Sequence, residues 1–284
     1  MSRSVLITGA GTGLGLETAL YLAERGFLVY ASVPDPSQRA QLMATAEAHH
    51  LNLHTSLLDV TDESSIRASV EQVLAESGAL YGVVHNAGIS LRGYFEDCDE
   101  VEIRRVLEVN LFGAMAVTRA VLPSMRRARQ GRLVFISSIG GRIASMARSA
   151  YCASKFGLEG FAESLWQEVV PLGLTVSLIE PGIVRTERWT VNRGIARRAL
   201  DPASPYWTWF QREEKLADEL VRTSPTKAVH VAAAVDRALT ARQPRLRYVV
   251  GWRANLVLGL RRYLPGETFE RWYFGMAIRR VTQG

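Results

Sequence analysis

Short apolar runs alternate along this chain with longer stretches in which apolar residues recur every three or four positions. The runs rich in Val, Ile and Leu fall at Val5–Thr8, Leu28–Ser32, Leu53–Leu58, Tyr81–His85, Leu133–Ser137 and Thr175–Glu180. Each is too short for a helix and is bounded by turn residues, which predicts strands buried on both faces of a parallel sheet. Between them, helical periodicity covers Gly13–Arg25, Ser37–His49, Asp62–Glu76, Val101–Ala128 and Tyr151–Val170. Strand and helix therefore alternate, and right-handed crossovers put helices on both faces. The expected fold class is α/β: a doubly wound parallel sheet of Rossmann type in three layers, α/β/α.

The alternation weakens after Pro181. Residues 185–225 carry Trp189, Trp207, Trp209, Tyr206 and Phe210 among arginines and prolines, which reads as an insertion lying over a site. A helix over Thr226–Ala241 and a strand near Arg247–Val250 close the sheet, and residues 245–284 form a C-terminal extension. With no internal repeat or low-complexity linker, one domain is expected: a cofactor-binding and catalytic core at 1–184, a substrate lid at 185–225, and the extension.

Composition changes this picture little. At 284 residues with 48% hydrophobic content the chain suits a single globule. The net charge of +6 permits an anionic partner, but there is no basic run interleaved with aromatics, no zinc-finger spacing and no RNA-binding signature, so nucleic acid is not an expected partner. Two cysteines, Cys98 and Cys152, form neither a disulfide framework nor a metal motif, and the five histidines show no ligand spacing, so no metal is assigned. No signal peptide is apparent and a cytoplasmic setting is expected. Cys152 reads as a packing residue, and His85 as a strand-end residue facing the cofactor region.

Thr8 to Gly15, T-G-A-G-T-G-L-G, follows a predicted strand and opens a predicted helix. Glycines let backbone turn tightly and approach a pyrophosphate, and the helix N-terminus offers free N–H groups. A glycine-rich turn without a ligand is the plainer alternative. The spacing T-G-x-x-x-G-x-G, taken with further motifs spread over Val5 to Thr186, resembles the classical short-chain dehydrogenase/reductase family. Asp59-Val60 lies where that family places an aspartate near adenine; Asn86-Ala87-Gly88 matches its N-A-G motif; Asn110 matches its catalytic asparagine. Pro181-Gly182, with Val184 and Thr186, matches the loop at the nicotinamide end. The resemblance implies cofactor contacts from Gly9, Thr12, Gly13, Leu14, Gly15, Asp35, Asp59, Val60, Asn86, Ala87, Gly88, Pro181, Gly182, Val184 and Thr186.

Tyr151 and Lys155 stand one helical turn apart at the head of a predicted helix, on one face. A nearby ammonium favours the phenolate and so makes tyrosine a usable acid and base. An isolated pair of this kind is usually an amphipathic surface feature. Here Ser138 ends the preceding strand at the family's usual interval, with Ser137 the alternative hydroxyl. The resemblance implies that Ser138 holds the substrate oxygen, Tyr151 exchanges its proton, and Lys155 holds the ribose and tunes Tyr151. Asn110 then positions a water that links Lys155 to solvent.

At the end of the second strand, Val33 and Pro34 occupy the family's usual acidic and basic selectivity positions, and Thr12 is neutral as well. Asp35 is the nearest charge and Arg39 lies further on, so NAD is favoured over NADP, which is not excluded. The aromatic content of the lid and tail (Trp189, Trp207, Trp209, Trp252, Trp272) points either to a pocket for a lipophilic alcohol or ketone of steroid, retinoid, long-chain or polyketide type or, equally, to packing of the lid or a subunit interface. The alternatives are an NADPH-dependent biosynthetic ketoreductase acting on carrier-bound or natural-product ketones, and a noncatalytic nucleotide sensor on the same fold. The tail, similar to those of steroid- and retinol-type members, alternates arginines with Trp, Leu and Phe. It is expected to pack on the domain or a neighbouring subunit, with peripheral membrane contact as the other reading. A homodimer or homotetramer is implied by the resemblance alone.

Overall fold

Seven parallel strands form one sheet in the order β3-β2-β1-β4-β5-β6-β7. The computed structural model describes residues 3–186 and 193–283. The strands are β1 (Ser4–Ile7), β2 (Leu28–Val33), β3 (His54–Leu57), β4 (Gly82–His85), β5 (Gly131–Ile136), β6 (Leu174–Pro181) and β7 (Arg247–Val250). Register runs in step from Val5 against Val29 on one side to Val5 against Gly82 on the other.

Because successive side chains on a strand point to opposite faces, β1 feeds both halves of the core: Leu6 goes to one layer, Val5 and Ile7 to the other. On the Leu6 side lie α3 (Glu63–Ser77), α4 (Glu100–Ala128) and α5 (Ser149–Val169). On the opposite side lie α1 (Gly13–Glu24), α2 (Pro36–Ala48) and α7 (Ala228–Thr240). The remaining helices, α6 (Trp207–Arg222), α8 (Trp252–Tyr263) and α9 (Gly266–Thr282), belong to the lid and tail. Element ends differ from the sequence reading by one or two residues, as fraying and capping dictate. For example, Asp35 and Asp62 cap α2 and α3, so each helix begins at the next residue.

Two features were not legible in the pattern. The long helix α4 is interrupted by a π turn over Glu108–Phe112, which carries Asn110. The segment around the lid has a core of its own, Leu91, Ala147, Ala196, Ala199 and Phe210, joined to the loop after β4. Among the described residues α4 alone is long and apolar enough by length and composition to cross a membrane, yet its Val106, Val117, Val121 and Met125 are buried in the domain's core.

The order of strands reverses between β1 and β4, because the chain winds outward to β3 and then returns past β1. Helices leave the sheet in opposite directions at this point, which opens a crevice at the carboxyl ends of these two strands. The glycine turn, the Asn86 segment and the Pro181 loop all meet the sheet's carboxyl edge.

Candidate active site

The glycine turn is held by hydrogen bonds from the end of β4. Asn86 Nδ2 donates to the carbonyls of Thr8 (3.0 Å) and Gly9 (2.8 Å), while the backbone N–H groups of Asn86 and Ala87 donate to Thr8 Oγ1 (3.1 and 3.0 Å). Two of its glycines are sterically required. A Cβ at Gly15 would lie 2.3 Å from the Gly9 carbonyl oxygen and 2.4 Å from Asn86 Nδ2, and Gly9 combines φ +65° with a Cβ position 2.8 Å from Ala87 Cα. Thr12 at the N-cap of α1 makes no side-chain cap, so the first turn of α1 presents its N–H groups without a side-chain acceptor of its own. This cradle suits a pyrophosphate.

A cavity of about 380 Å³ opens beside it. Of the predicted residues, Leu14, Asn86, Gly88, Ser138, Tyr151, Lys155, Pro181, Gly182, Val184 and Thr186 line it together. Lys155 is buried, and its Nζ donates to the Ile136 carbonyl (2.8 Å) while lying 5.9 Å from the centre of the Tyr151 ring. The two serines differ. Ser138 Oγ accepts from the Gly140 N–H (3.0 Å), and a Cβ on Gly140 would lie 3.4 Å from that oxygen and 3.3 Å from Tyr151 Cε1, so Ser138 and Tyr151 flank one small gap. Ser137 lines the same cavity, and its hydroxyl also stands near Glu159, whose anionic form it favours.

Other predicted residues are not among those that line the cavity. Asn110 is buried and locked: Oδ1 accepts from Ile89 N–H (2.7 Å), and Nδ2 donates to the Ile89 carbonyl (2.9 Å) and to Ser154 Oγ (3.0 Å). Its side chain thereby ties the loop after β4 to α5. Asp35 caps α2, taking bonds from the Gln38 N–H (3.0 Å) and from Ser37 Oγ (2.6 Å). The Ser37 hydroxyl, then the Gln38 N–H, hold its carboxyl below the usual range. Asp59 accepts from Thr61 at both N (2.9 Å) and Oγ1 (2.7 Å), and Val60 is buried against Gly113 in the core.

Two expectations need correction. His85 does not face the cofactor region: it is buried, stacked on Phe135 with ring centres 4.4 Å apart, and Nε2 lies 3.3 Å from Thr118 Oγ1. Cys152, read as a packing residue, is buried and also lines the cavity wall beside Tyr151. Among the described residues, Trp207, Trp209, Trp252 and Trp272 of the lid and tail do not line that wall. Trp209 joins Tyr94 and Tyr206 in a surface aromatic cluster, Trp252 and Trp272 are largely exposed, and Trp189 lies outside the described residues. The wall is aliphatic instead, from Leu216, Ala217, Leu220 and Val221 of α6, with Tyr273 of α9.

Sequence reasoning missed the polar end of the cavity. Arg92, buried, reaches Glu213 (2.6 Å) and Glu214 (2.5 Å) on α6, and Arg193 bridges Glu214 (2.5 Å) to Asp218 (2.9 Å). Nothing local marks Arg92; only its position shortly after the N-A-G segment could have drawn notice.

A family model described as short chain dehydrogenase matches residues 3–194. Retinol dehydrogenase 5 of Homo sapiens is 37% identical, over 94% of this chain and 86% of its own length. The mitochondrial D-beta-hydroxybutyrate dehydrogenase of Bos taurus is 34% identical over 96% and 84%. The crystal structure of a short-chain dehydrogenase from Streptomyces avermitilis superposes with a TM-score of 0.80 at 30% identity, covering 98% of this chain and 99% of that one.

Proposed function

This chain belongs to the short-chain dehydrogenase family, and from that premise we propose that it moves a hydride between NAD and a secondary alcohol or ketone carried on a bulky apolar body. Family membership makes it an NAD(P)-dependent oxidoreductase of alcohol and ketone carbons. The observation that carries the finer reading is the cavity itself, in which Ser138, Tyr151 and Lys155 share one wall and four aliphatic side chains of α6 make another. The relative named for retinol, itself a lipophilic alcohol, supports the same substrate class.

The cradle of Gly9 to Gly15 fits a dinucleotide pyrophosphate, and when bound the nicotinamide supplies hydride acceptance and donation. Ser138 Oγ orients the substrate oxygen. Tyr151 takes the hydroxyl proton in oxidation and returns it in reduction. Lys155, desolvated and fixed on the Ile136 carbonyl, supplies the positive charge that favours the phenolate and a donor for the ribose. Asn110 fixes the π turn through its bonds to Ile89 and Ser154, and in this reading it positions the water that links Lys155 to solvent. Asp35, its carboxylate set at the α2 N-terminus with three hydrogen bonds taken from Ser37 and Gln38 and one acceptor position remaining, faces the adenosine ribose in this reading, and the neutral Val33 and Pro34 provide no site for a 2′-phosphate.

Tyr151→Phe tests the chemistry. Turnover, followed by the absorbance of reduced nicotinamide, is expected to fall by about 10²–10⁴ while cofactor affinity stays within a few-fold. Near-normal turnover in that variant removes the assignment. A panel of retinoid, steroid and long-chain alcohols set against small polar alcohols, with both cofactors, tests the substrate class. Activity confined to the polar set, or tighter binding of NADPH, reverses the corresponding part.

The tail carries a second proposal, peripheral contact with anionic membrane. Trp252, Leu256 and Tyr263 of α8 and Trp272 and Met276 of α9 are exposed among Arg253, Arg262, Arg271, Arg279 and Arg280. Full-length protein is expected to float with phosphatidylserine-containing liposomes more than protein cut after β7; equal flotation refutes this.

A further inference from the structure

Tyr151, Lys155 and Glu159 follow one another at single-turn intervals along α5, so their side chains leave the same face of the helix. The first two line the cavity. Glu159 continues the row behind it, buried where the ends of β5, β6 and β7 meet. Its Oε2 lies 3.3 Å from Arg247 Nε. Glu180 on β6, with no exposed surface, places Oε1 3.1 Å from the same Nε and 3.0 Å from Arg142 Nη1. Two buried carboxylates thus share one guanidinium, whose Nη2 also reaches Glu163 (3.1 Å), while Arg142 serves Glu180. Arg261 of α8 donates to the Arg142 carbonyl and holds that turn in place.

No hydrogen bond of ordinary geometry reaches the remaining oxygen of Glu159, Oε1, or Ser137 Oγ among the described residues, although the Ser137 hydroxyl stands near enough to favour the Glu159 anion. Both groups converge on Gly141. A Cβ there would lie 3.0 Å from Ser137 Oγ, 3.0 Å from Glu159 Cγ and 2.9 Å from the Lys155 carbonyl oxygen. Ser137 in turn stands between Ile136, whose carbonyl receives Lys155 Nζ, and Ser138, which faces the cavity. The acid therefore sits directly behind the groups that hold Lys155.

We propose that Glu159 is a positioning residue for the reaction, its carboxyl gaining and losing a proton behind Lys155 and so setting the field in which Tyr151 ionises. This rests on the roles given above to Tyr151 and Lys155. The chemistry of the cluster favours such a proton exchange. Burial first, and then the Glu180 carboxylate, push Glu159 up to about 7, against the opposing pull of Ser137, Arg247 and Arg142. As an anion Glu159 opposes the Lys155 charge and favours the phenol. Once protonated it has an O–H to give to Ser137 Oγ, and the ammonium acts on Tyr151 unopposed. Eight residues of helix put Glu159 about 12 Å from Tyr151, and at that range one full charge in a protein medium moves a neighbour's ionisation by on the order of one pH unit.

The test is the pH dependence of alcohol oxidation in wild type, Glu159→Gln and Glu159→Asp, with cofactor dissociation constants and KM measured for each. In Glu159→Gln the basic inflection of kcat is expected to move down by about one pH unit with KM within about threefold, and Glu159→Asp to keep the wild-type profile. Superimposable profiles for Glu159→Gln and wild type, or a change confined to KM, overturn the proposal. If Glu159→Gln does not fold, Ser137→Ala removes a hydroxyl that favours the Glu159 anion and shifts the inflection in the same direction. An unmoved inflection there is equally fatal. Tyr151→Phe separates the two levels: if it abolishes turnover while the Glu159 variants change nothing, only the role of Glu159 is lost.

Discussion

His85 and Glu159 show how far burial moves a single ionisable group here, and in opposite senses. Desolvation lowers His85 to about 3, so the folded protein keeps the ring neutral between Phe135 and Thr118. The unfolded chain binds a proton below about 6.5 that the native state refuses, so stability falls as pH drops from about 6.5 toward 3, by about 1.4 kcal/mol per unit. Replacement His85→Phe keeps a ring against Phe135 and removes that slope. Urea unfolding at pH 5 and pH 7 checks it, with a pH difference smaller by about 2 kcal/mol in the variant as the expected result. An unchanged pH difference refutes the neutral-histidine account. The raised Glu159 group acts the other way: its contribution is present below its unfolded value and is lost as pH rises through about 7. At this scale residue type and interval point to Tyr151, Lys155 and Ser138, and the three line one cavity. The sequence left Ser137 open against Ser138, since either hydroxyl of a strand-end pair can face the ligand. Both serines line the cavity, and Ser137 also packs beside Gly141 and Glu159.

Among elements, the strands were legible because a short run of Val, Ile and Leu between turns has few other fates, and the helices because Asp and Pro marked their starts. The π turn was not, since Glu108–Phe112 has the composition of any helix and only the side-chain bonds of Asn110 to Ile89 and Ser154 reveal what the extra residue accomplishes. For the lid, composition left the cavity wall open between aromatic lining and aromatic packing. Aromatic content drew attention to its tryptophans, whereas helix α6 turns Leu216, Ala217, Leu220 and Val221 inward and leaves Trp209 outside. What fixes that rotation is an ion network that pattern reading does not see: Arg92 anchors Glu213 and Glu214, and Arg193 extends it to Asp218. Removing one partner of a buried pair leaves the other charge uncompensated. Arg92→Leu is therefore expected to cost about 3–5 kcal/mol and to raise KM as α6 loosens, read by denaturant unfolding and steady-state kinetics. A loss below about 1 kcal/mol shows that the network does not hold the lid.

For the whole molecule, the alternation of strand and helix along the chain determined the doubly wound sheet. Its hydrophobic periods admit no other way to bury both faces, and handedness fixes the crossovers. The glycine turn, the N-A-G segment and the Tyr-Lys pair likewise announced a nicotinamide enzyme of this family, because each is a local solution to a local chemical need. Tertiary structure alone decided which residues form the substrate cavity, how Arg92 meets α6, and that Glu159 stands with Glu180 and Arg247 behind Lys155. Those contacts join β6, β7, α5, α6 and the loop after β4. A side chain's partner across such distances is set by how layers pack, and burial then alters its charge, so no reading of neighbouring residues along the chain contains either fact.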